Sequence, residues 1–236
     1  MIRTVLIGAG GTGSLLARPL QHYLIALTKD DYELVIIDGD KVERKNLARQ
    51  MFHPDDVSAG KAQRLAASLL GEVSFVDSYL DEKMAEEVIQ ENDRVILAVD
   101  NFGVRKLISD IADDMKNFTV INPGNEAYMA TCQIHVRRQG ENITPSIRYM
   151  HDEYDNPLML VPNNRPDCTV RMLTGEEQTI AANMCAASMA LNAMVQVTEL
   201  DANKREMQFH ETHFDLTNGI AGGPDWRVEG DGTWAT

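Results

Sequence analysis

A short strand-forming run, Ile2–Ile7, passes without a linker into Gly8-Ala-Gly10-Gly11-Thr-Gly13, and a helical pattern continues over Thr12–Thr28. This opening constrains the fold more than any other feature. A strand that turns at glycines straight into a helix is the first unit of a β-α-β crossover, and such crossovers build parallel sheets. The rest of the first half repeats the alternation. Glu33–Ile37, Val73–Val76, Arg94–Val99 and Phe118–Asn122 read as strands. Ser58–Leu70, Asp81–Gln90 and Val104–Met115 read as helices, the first two capped by Ser58 and Asp81. Apolar strands between amphipathic helices predict an α/β fold, with a Rossmann-like, mostly parallel sheet and helices on both faces.

The pattern changes after about residue 124, where Pro123-Gly124 is expected to end the fifth strand. Cys132–Val136 and Ile147–Tyr149 read as strands of an antiparallel kind. Residues 150–168 are rich in Asp, Asn and Pro and have no period, which in a compact domain marks a functional or disordered segment. Thr174-Gly-Glu-Glu177 has the form of a capping box and is expected to open a long Ala/Met-rich helix over roughly Glu176–Leu200. Glu206–Leu216 reads as a last strand, and the Gly-, Asp- and Trp-bearing tail from about Gly219 as loosely ordered. The expectation is one domain over 1–236: a first half, 1–124, and a second half, 125–236, with a small antiparallel C-terminal extension.

Composition excludes several function classes. Asp and Glu number 36 against 22 Lys and Arg, a net charge of −14, the opposite of a basic footprint for nucleic acid or an anionic membrane. With 44% hydrophobic and 25% charged residues the chain is neither disordered nor collagenous. Three cysteines, Cys132, Cys168 and Cys185, rule out a disulfide scaffold and point to a reducing, cytoplasmic setting. None is spaced Cys-x-x-Cys, so no structural zinc is expected. Ile2–Ile7 lacks the basic start and length of a signal peptide. The longest weakly polar stretch, Ile180–Val197, is interrupted by Asn183, Ser188, Asn192 and Gln196 and is not read as a membrane span.

The chemistry gathers at the glycine turn. Gly8, Gly10, Gly11 and Gly13 let the backbone turn tightly and approach a ligand, and the helix N-terminus offers free N–H groups to phosphate. Asp38 ends the second strand, where an acidic residue can bond ribose hydroxyls. The turn by itself does not separate NAD, FAD, S-adenosylmethionine or ATP. A second motif does: Asp38-Gly-Asp40-Lys-Val-Glu-Arg-Lys-Asn46-Leu-Ala-Arg49-Gln50, then Lys61, then Asp100-Asn101-Phe-Gly-Val-Arg105 at the end of the fourth strand. A dehydrogenase would run from its acidic residue into a helix. Here Asn, Arg, Gln and Lys collect beside the turn, placed to grip a triphosphate, and Asp100 is placed to hold Mg²⁺.

At these residues, over roughly 1–200, the sequence resembles the ThiF/MoeB/HesA ubiquitin-activating superfamily of adenylating enzymes. Pro166–Leu200 and His213–Gly219 look like the minimal ThiF proteins of the PRTRC type. The resemblance implies ATP-dependent adenylation of the C-terminal carboxylate of a ubiquitin-like or sulfur-carrier protein, with release of pyrophosphate. Carried over by position, Gly10, Gly11 and Gly13 wrap the phosphates and Asp38 binds ribose. Asn46, Arg49, Gln50 and Lys61 meet the phosphates, Arg49 and Lys61 offsetting charge in the transition state, and Asp100 holds Mg²⁺. Asp40 and Asn101 line the same site, with Asn101 and Arg105 buttressing the crevice. The second half would bind the partner and form a homodimer; the helix over 180–197 carries Met184, Met189 and Met194, adaptable residues for an interface, with core packing the reading favoured for most of them.

Cys168, in a polar loop before the last long helix, stands where family members that form a thioester carry their cysteine; an unreactive loop thiol is the alternative. Cys132 and Cys185 read as small core residues. Three departures stand against the family pattern. Cys-x-x-Cys pairs are absent. Arg3 does not obviously fill the role of the arginine that an N-terminal helix supplies in many relatives. Residues 170–179 replace the small apolar segment usual in the sulfur-carrier activators. Two other functions share the glycine turn: a nucleotide-binding scaffold without catalysis, and an NAD-dependent oxidoreductase, which the absence of an evident hydride-transfer His or Tyr disfavours.

Overall fold

Alternate residues along the strands decide the layers. On β1 (Ile2–Ile7), Leu6 enters one apolar cluster while Val5 and Ile7 enter another on the opposite face. β2 (Tyr32–Ile37) divides in the same way, with Leu34 and Ile36 against Val35 and Ile37. Helices must therefore cover both faces. α1 (Gly11–Thr28) supplies Leu16, Leu20 and Leu24 to the first, and α2 (Lys61–Ala67) supplies Leu65. α3 (Glu82–Val88) and α4 (Phe102–Asp114) supply Ala85, Ile108 and Ala112 to the second. The computed structural model describes residues 1–29, 31–149 and 179–222, and short strands at 227–228 and 234–235.

The remaining strands are β3 (Ser74–Val76), β4 (Arg94–Leu97), β5 (Phe118–Asn125), β6 (Met129–Arg138), β7 (Glu141–Asn142), β8 (Glu211–Asp215) and β9 (Ile220–Gly222). Together with β1 and β2 they form one sheet in the order β3-β2-β1-β4-β5-β6-β8-β9, with β7 on β6. β3, β2, β1, β4 and β5 run parallel; β6 to β9 add antiparallel pairs. β10 (Arg227–Val228) and β11 (Trp234–Ala235) pair with each other, antiparallel, in a separate two-stranded sheet. The chain leaves β1 outward to β2 and β3, then returns to place β4 on its other side. This switch opens a crevice at the carboxyl ends of β1 and β4, the place where open α/β sheets take their ligands.

The last helix, α5 (Ile180–Asp201), packs on α1, β5 and β6. Ala182, Ala186, Ala190 and Ala193 are fully buried at helical spacing, so small side chains let its backbone press close. By length and hydropathy α5 could cross a membrane; in this fold it is a core helix lying against the sheet.

The amino ends of the strands are tied by ions. Buried Arg94 donates to Asp201 (3.0 Å) and Thr198 (2.9 Å) of α5, and Arg138 donates to the same carboxylate at 2.7 and 2.9 Å. Arg3 is held there as well, by Asp93 at 2.5 Å and Glu33 at 3.1 Å. It therefore lies at the opposite end of β1 from the glycine turn.

Several sequence expectations move. Ser58 does not cap α2: it sits at φ 79° and bonds Val42, in a tight turn closed by the Lys41–Gly60 bridge. Gly60 is the cap, and Lys61 becomes the first residue of the helix. Pro123-Gly124 does not end β5. Beyond Ile121 the strand has lost β4 and pairs with β6 alone, so the missing proline N–H is tolerated at an edge. Ile147–Tyr149 is a 3-10 turn rather than a strand. The strand expected over Glu206–Leu216 is confined to Glu211–Asp215, and it is not the last: β9 follows at Ile220–Gly222 and pairs with it. α5 begins at Ile180, where the Thr179 hydroxyl accepts from the Ala182 N–H at 3.1 Å; Thr174–Glu177 and the 150–168 segment lie outside the described residues.

Candidate active site

Packing explains three of the four glycines and leaves one to the crevice. Gly8 has φ +98°, and a Cβ there would overlap the backbone carbonyl of Ala98 just beyond β4. A Cβ on Gly13 would overlap the carbonyl oxygen of Gly8, and one on Gly11 would come to 2.6 Å from the Asn183 side chain. Gly10 differs: the nearest atom to its Cβ position is Gln50 Nε2 at 4.0 Å, and its φ of −78° is not in the left-handed region. Gly10 is also the N-cap of α1 and provides no capping side chain, so the helix presents its first N–H groups and positive end uncapped.

Asp38 closes the turn from β2. Its two oxygens accept the N–H of Ala9 (2.6 Å) and Asp40 (2.8 Å), so this carboxylate holds the glycine turn itself while each oxygen keeps a lone pair for a ribose hydroxyl. Burial pushes its carboxyl up, against the pull of those two backbone donors and of Lys61.

Asp40 is the counter-ion of Lys61. Lys61 Nζ donates to Asp40 Oδ2 at 2.8 Å, and its backbone N–H bonds the Asp40 carbonyl at 2.9 Å. The lysine side chain is 8% exposed and the carboxylate 48%. Tyr79, in the loop after β3, donates its hydroxyl to the other oxygen, Oδ1. Burial raises the Asp40 carboxyl, but the bonds from Lys61 and Tyr79 outweigh it and hold the group below its ordinary value. The Tyr79 hydroxyl is pushed up to about 12 by that same hydrogen bond, by burial, and by the charges of Asp40, Asp38 and Asp100. Asp38, Asp40 and Asp100 thus act on one hydroxyl.

Asn46, Arg49 and Gln50 lie on and just after a 3-10 turn, Arg44–Ala48. Asn46 is buried and its Oδ1 accepts the Glu43 N–H at 2.9 Å, so it shapes the turn. Arg49 is half-buried. Gln50 is buried over Gly10, and its Oε1 has no partner, an unsatisfied polar atom at the edge of the crevice. Asp100 is exposed at the carboxyl end of β4. Asn101 caps α4, accepting the Val104 N–H at 2.8 Å, and Arg105 donates to the carbonyls of Val99 (2.7 Å) and Pro123 (3.3 Å). These two residues buttress the ends of β4 and β5.

Two features escaped the sequence reading. Thr12, Asn125 and Asn183 form a buried polar cluster beneath the turn. Thr12 Oγ1 donates to Asn125 at 3.3 Å, and Asn125 Nδ2 donates to Asn183 Oδ1 at 2.9 Å. Asn183 stood in the sequence as one of two asparagines in the Ala-rich α5, with Asn192, and only the fold sets it apart by burying it under the turn. Tyr79 was the other, and nothing local marked it. Among the cysteines, Cys132 is buried and its thiol pushed up to about 12, first by burial and then by Glu211, so it is an inert core group as expected. Cys185 is half-buried rather than core. Cys168 lies outside the described residues.

The family model described as the ThiF family matches residues 1–221. The chain belongs to the ThiF family. Among curated ThiF-like relatives, the SAMP-activating enzyme E1 of Haloferax volcanii is 40% identical over 115 residues, covering 46% of this chain and 40% of that protein. The sulfur carrier protein adenylyltransferase of Thermus thermophilus is 34% identical over 116 residues, again covering 46% of this chain and 40% of its own. The matched part therefore spans about two fifths of these relatives' length. Among solved structures, E. coli MccB in a succinimide complex superposes with a TM-score of 0.68 at 18% identity, over 95% of this chain and 63% of that one. PaaA gives 0.64 at 19%, over 95% and 64%. These two share the ThiF-family fold.

Proposed function

We propose that this ThiF-family chain adenylates the C-terminal carboxylate of a ubiquitin-like or sulfur-carrier protein, using Mg·ATP. One observation carries the reading: an uncapped helix N-terminus at Gly10 and a buried lysine, Lys61, stand at the same topological switch point. The names of the two curated relatives support the class of substrate.

In this reading a carboxylate oxygen attacks the α-phosphorus in line, the Pα–O–Pβ bond breaks, and pyrophosphate leaves with the electron pair, giving a mixed acyl-phosphate anhydride. Nucleophile and leaving group are both anionic, so the protein's task is to offset charge and hold the two in line. The backbone N–H groups of the Gly10–Gly13 turn receive phosphate oxygens. Lys61 and Arg49 neutralise them, Asn46 and Gln50 shape that wall, and Asp38 takes ribose. Mg²⁺, when bound, would supply Lewis-acid neutralisation of the phosphates. Asp100 is the residue to hold it, and a single carboxylate suits an ion that takes its other ligands from phosphate and water. Among the described residues no cluster of three or more His, Cys, Asp or Glu side chains is preformed for a metal. A Cys168 thiolate would then displace AMP and carry the acyl group as a thioester. The assembly is a cytoplasmic homodimer, tested by sedimentation: a monomer at micromolar concentration overturns it.

The test of function is unfolding of the purified protein with Mg·ATP and, separately, with NAD⁺. Ligand at ~100 times its Kd adds about 2.7 kcal/mol. Stabilisation by Mg·ATP that is lost in Asp100→Ala is the expected result, and stabilisation by NAD⁺ alone overturns the reading. With a carrier protein supplied, pyrophosphate exchange should vanish in Arg49→Ala.

A further inference from the structure

Lys61 presents a physical difficulty. An ammonium this deeply buried needs a counter-ion, and Asp40 at 2.8 Å supplies one. It also stands at the first position of α2, where the helix dipole repels a cation. Yet a lysine fully neutralised by its own carboxylate has little charge left for a phosphate. Asp40 must bind it tightly enough for burial and loosely enough for use.

Tyr79 is placed to set that balance. Its hydroxyl donates to the Asp40 oxygen that Lys61 does not use. The ring is 69% exposed, so burial does not account for an aromatic residue here. It is held instead by Gly39, whose Cβ would stand 2.6 Å from the ring's Cγ and from the Tyr79 backbone N. The Asp38-Gly39-Asp40 sequence thus makes room for the ring and offers the acceptor for its hydroxyl. A hydrogen bond to one carboxylate oxygen stabilises the anion and makes it a weaker acceptor for a second donor.

We infer that Tyr79 is a positioning residue for Lys61: by sharing Asp40, its hydroxyl loosens the Lys61–Asp40 pair and leaves the ammonium free to meet a ligand's phosphates. The inference rests on the nucleotide reading above and extends it. Tyr79 acts on the phosphates through Asp40, not on the base or the protein substrate.

The test is calorimetric titration of Mg·ATP and of Mg·tripolyphosphate into wild type, Tyr79→Phe, Asp40→Asn and the double variant. Tyr79→Phe keeps the ring on Gly39 and should leave the melting temperature within a degree or two. It should weaken both ligands about fivefold, a fraction of what a hydrogen bond to a charged group is worth. In the Asp40→Asn background the same substitution should change neither affinity. Weakening of ATP alone would make Tyr79 a base contact and overturn the inference. So would additive losses in the double variant, or wild-type affinity in Tyr79→Phe. A wild type that binds neither ligand overturns the nucleotide reading, and the inference falls with it.

Discussion

Both edges of this sheet bury a cation against a carboxylate, and they use the pair in opposite ways. At the amino edge Arg94 is fixed by Asp201 and Thr198, and Asp201 is shared with Arg138 through two further bonds. Planar guanidinium groups lock helix to sheet there. At the carboxyl edge Lys61 faces Asp40, half of whose side chain is open to water, and the second donor on that carboxylate is a tyrosine with an exposed ring. The first arrangement spends its charge on the fold. The second holds its ammonium by one bond to a half-exposed carboxylate, at the edge of the crevice. Burial of an ion pair therefore says little about role until the geometry and exposure of its partner are known.

The largest expected effect lies at the amino edge. Asp201→Ala leaves Arg94 buried without its carboxylate, and should lower stability by about 3 kcal/mol in urea unfolding. Mg·ATP affinity of the folded protein should not change. A variant that keeps its stability but loses nucleotide would erase the distinction between the edges.

A paired substitution sharpens it inside the glycine turn. Gly13→Ala drives a Cβ into the Gly8 carbonyl and should destabilise by about 2–3 kcal/mol. Gly10→Ala meets no atom closer than 4.0 Å at an ordinary φ of −78°. It should alter stability by no more than about 0.5 kcal/mol. Its methyl group would project toward the crevice, and Mg·ATP affinity should fall at least about tenfold, roughly the worth of one charge-assisted bond. Equal stability losses in the two variants would mean that Gly10, too, is a packing residue.

The two edges were not equally legible in the sequence. The parallel strands and the glycine turn could be read because their signals are local: apolar runs, and glycines directly between strand and helix. Asp38, Lys61 and Asp100 could be placed because each sits at or near a strand end or helix start. Asp201 and Arg138 could not, since their partnership joins residues 63 apart in sequence. The same is true of Tyr79 and Asp40, 39 apart, and of Asn183 and Thr12, 171 apart. Where local expectations moved, one element overrode another. Ser58 was drawn into a turn with Val42, and β5 ran through Pro123-Gly124 because β6 offered it a partner.

The smallest effect concerns pH, and it belongs to the amino side. His135 on β6 is buried, bonded through Nε2 to Asn142 at 3.0 Å, with Nδ1 unpaired. Burial holds its pKa below 6.5, partly countered by the bond with Asn142 and by Asp113, while Arg137 adds to the depression. His210, also buried, is lowered in the same direction. At these two histidines the folded protein binds fewer protons than the unfolded chain once pH drops below about 6.5, so their contribution to the unfolding free energy decreases on acidification. Each histidine contributes a slope of at most about 1.4 kcal/mol per pH unit. His135→Gln removes one of them. Urea unfolding at pH 7, 6 and 5 should show a shallower decline in that variant than in wild type. Asp38 and Asp93, whose carboxyls are raised by burial, slope the other way, but they are common to both proteins and cancel in the difference. An unchanged decline would mean that His135 takes up its proton at the same pH in the folded and unfolded chains, which its buried, unpaired Nδ1 argues against.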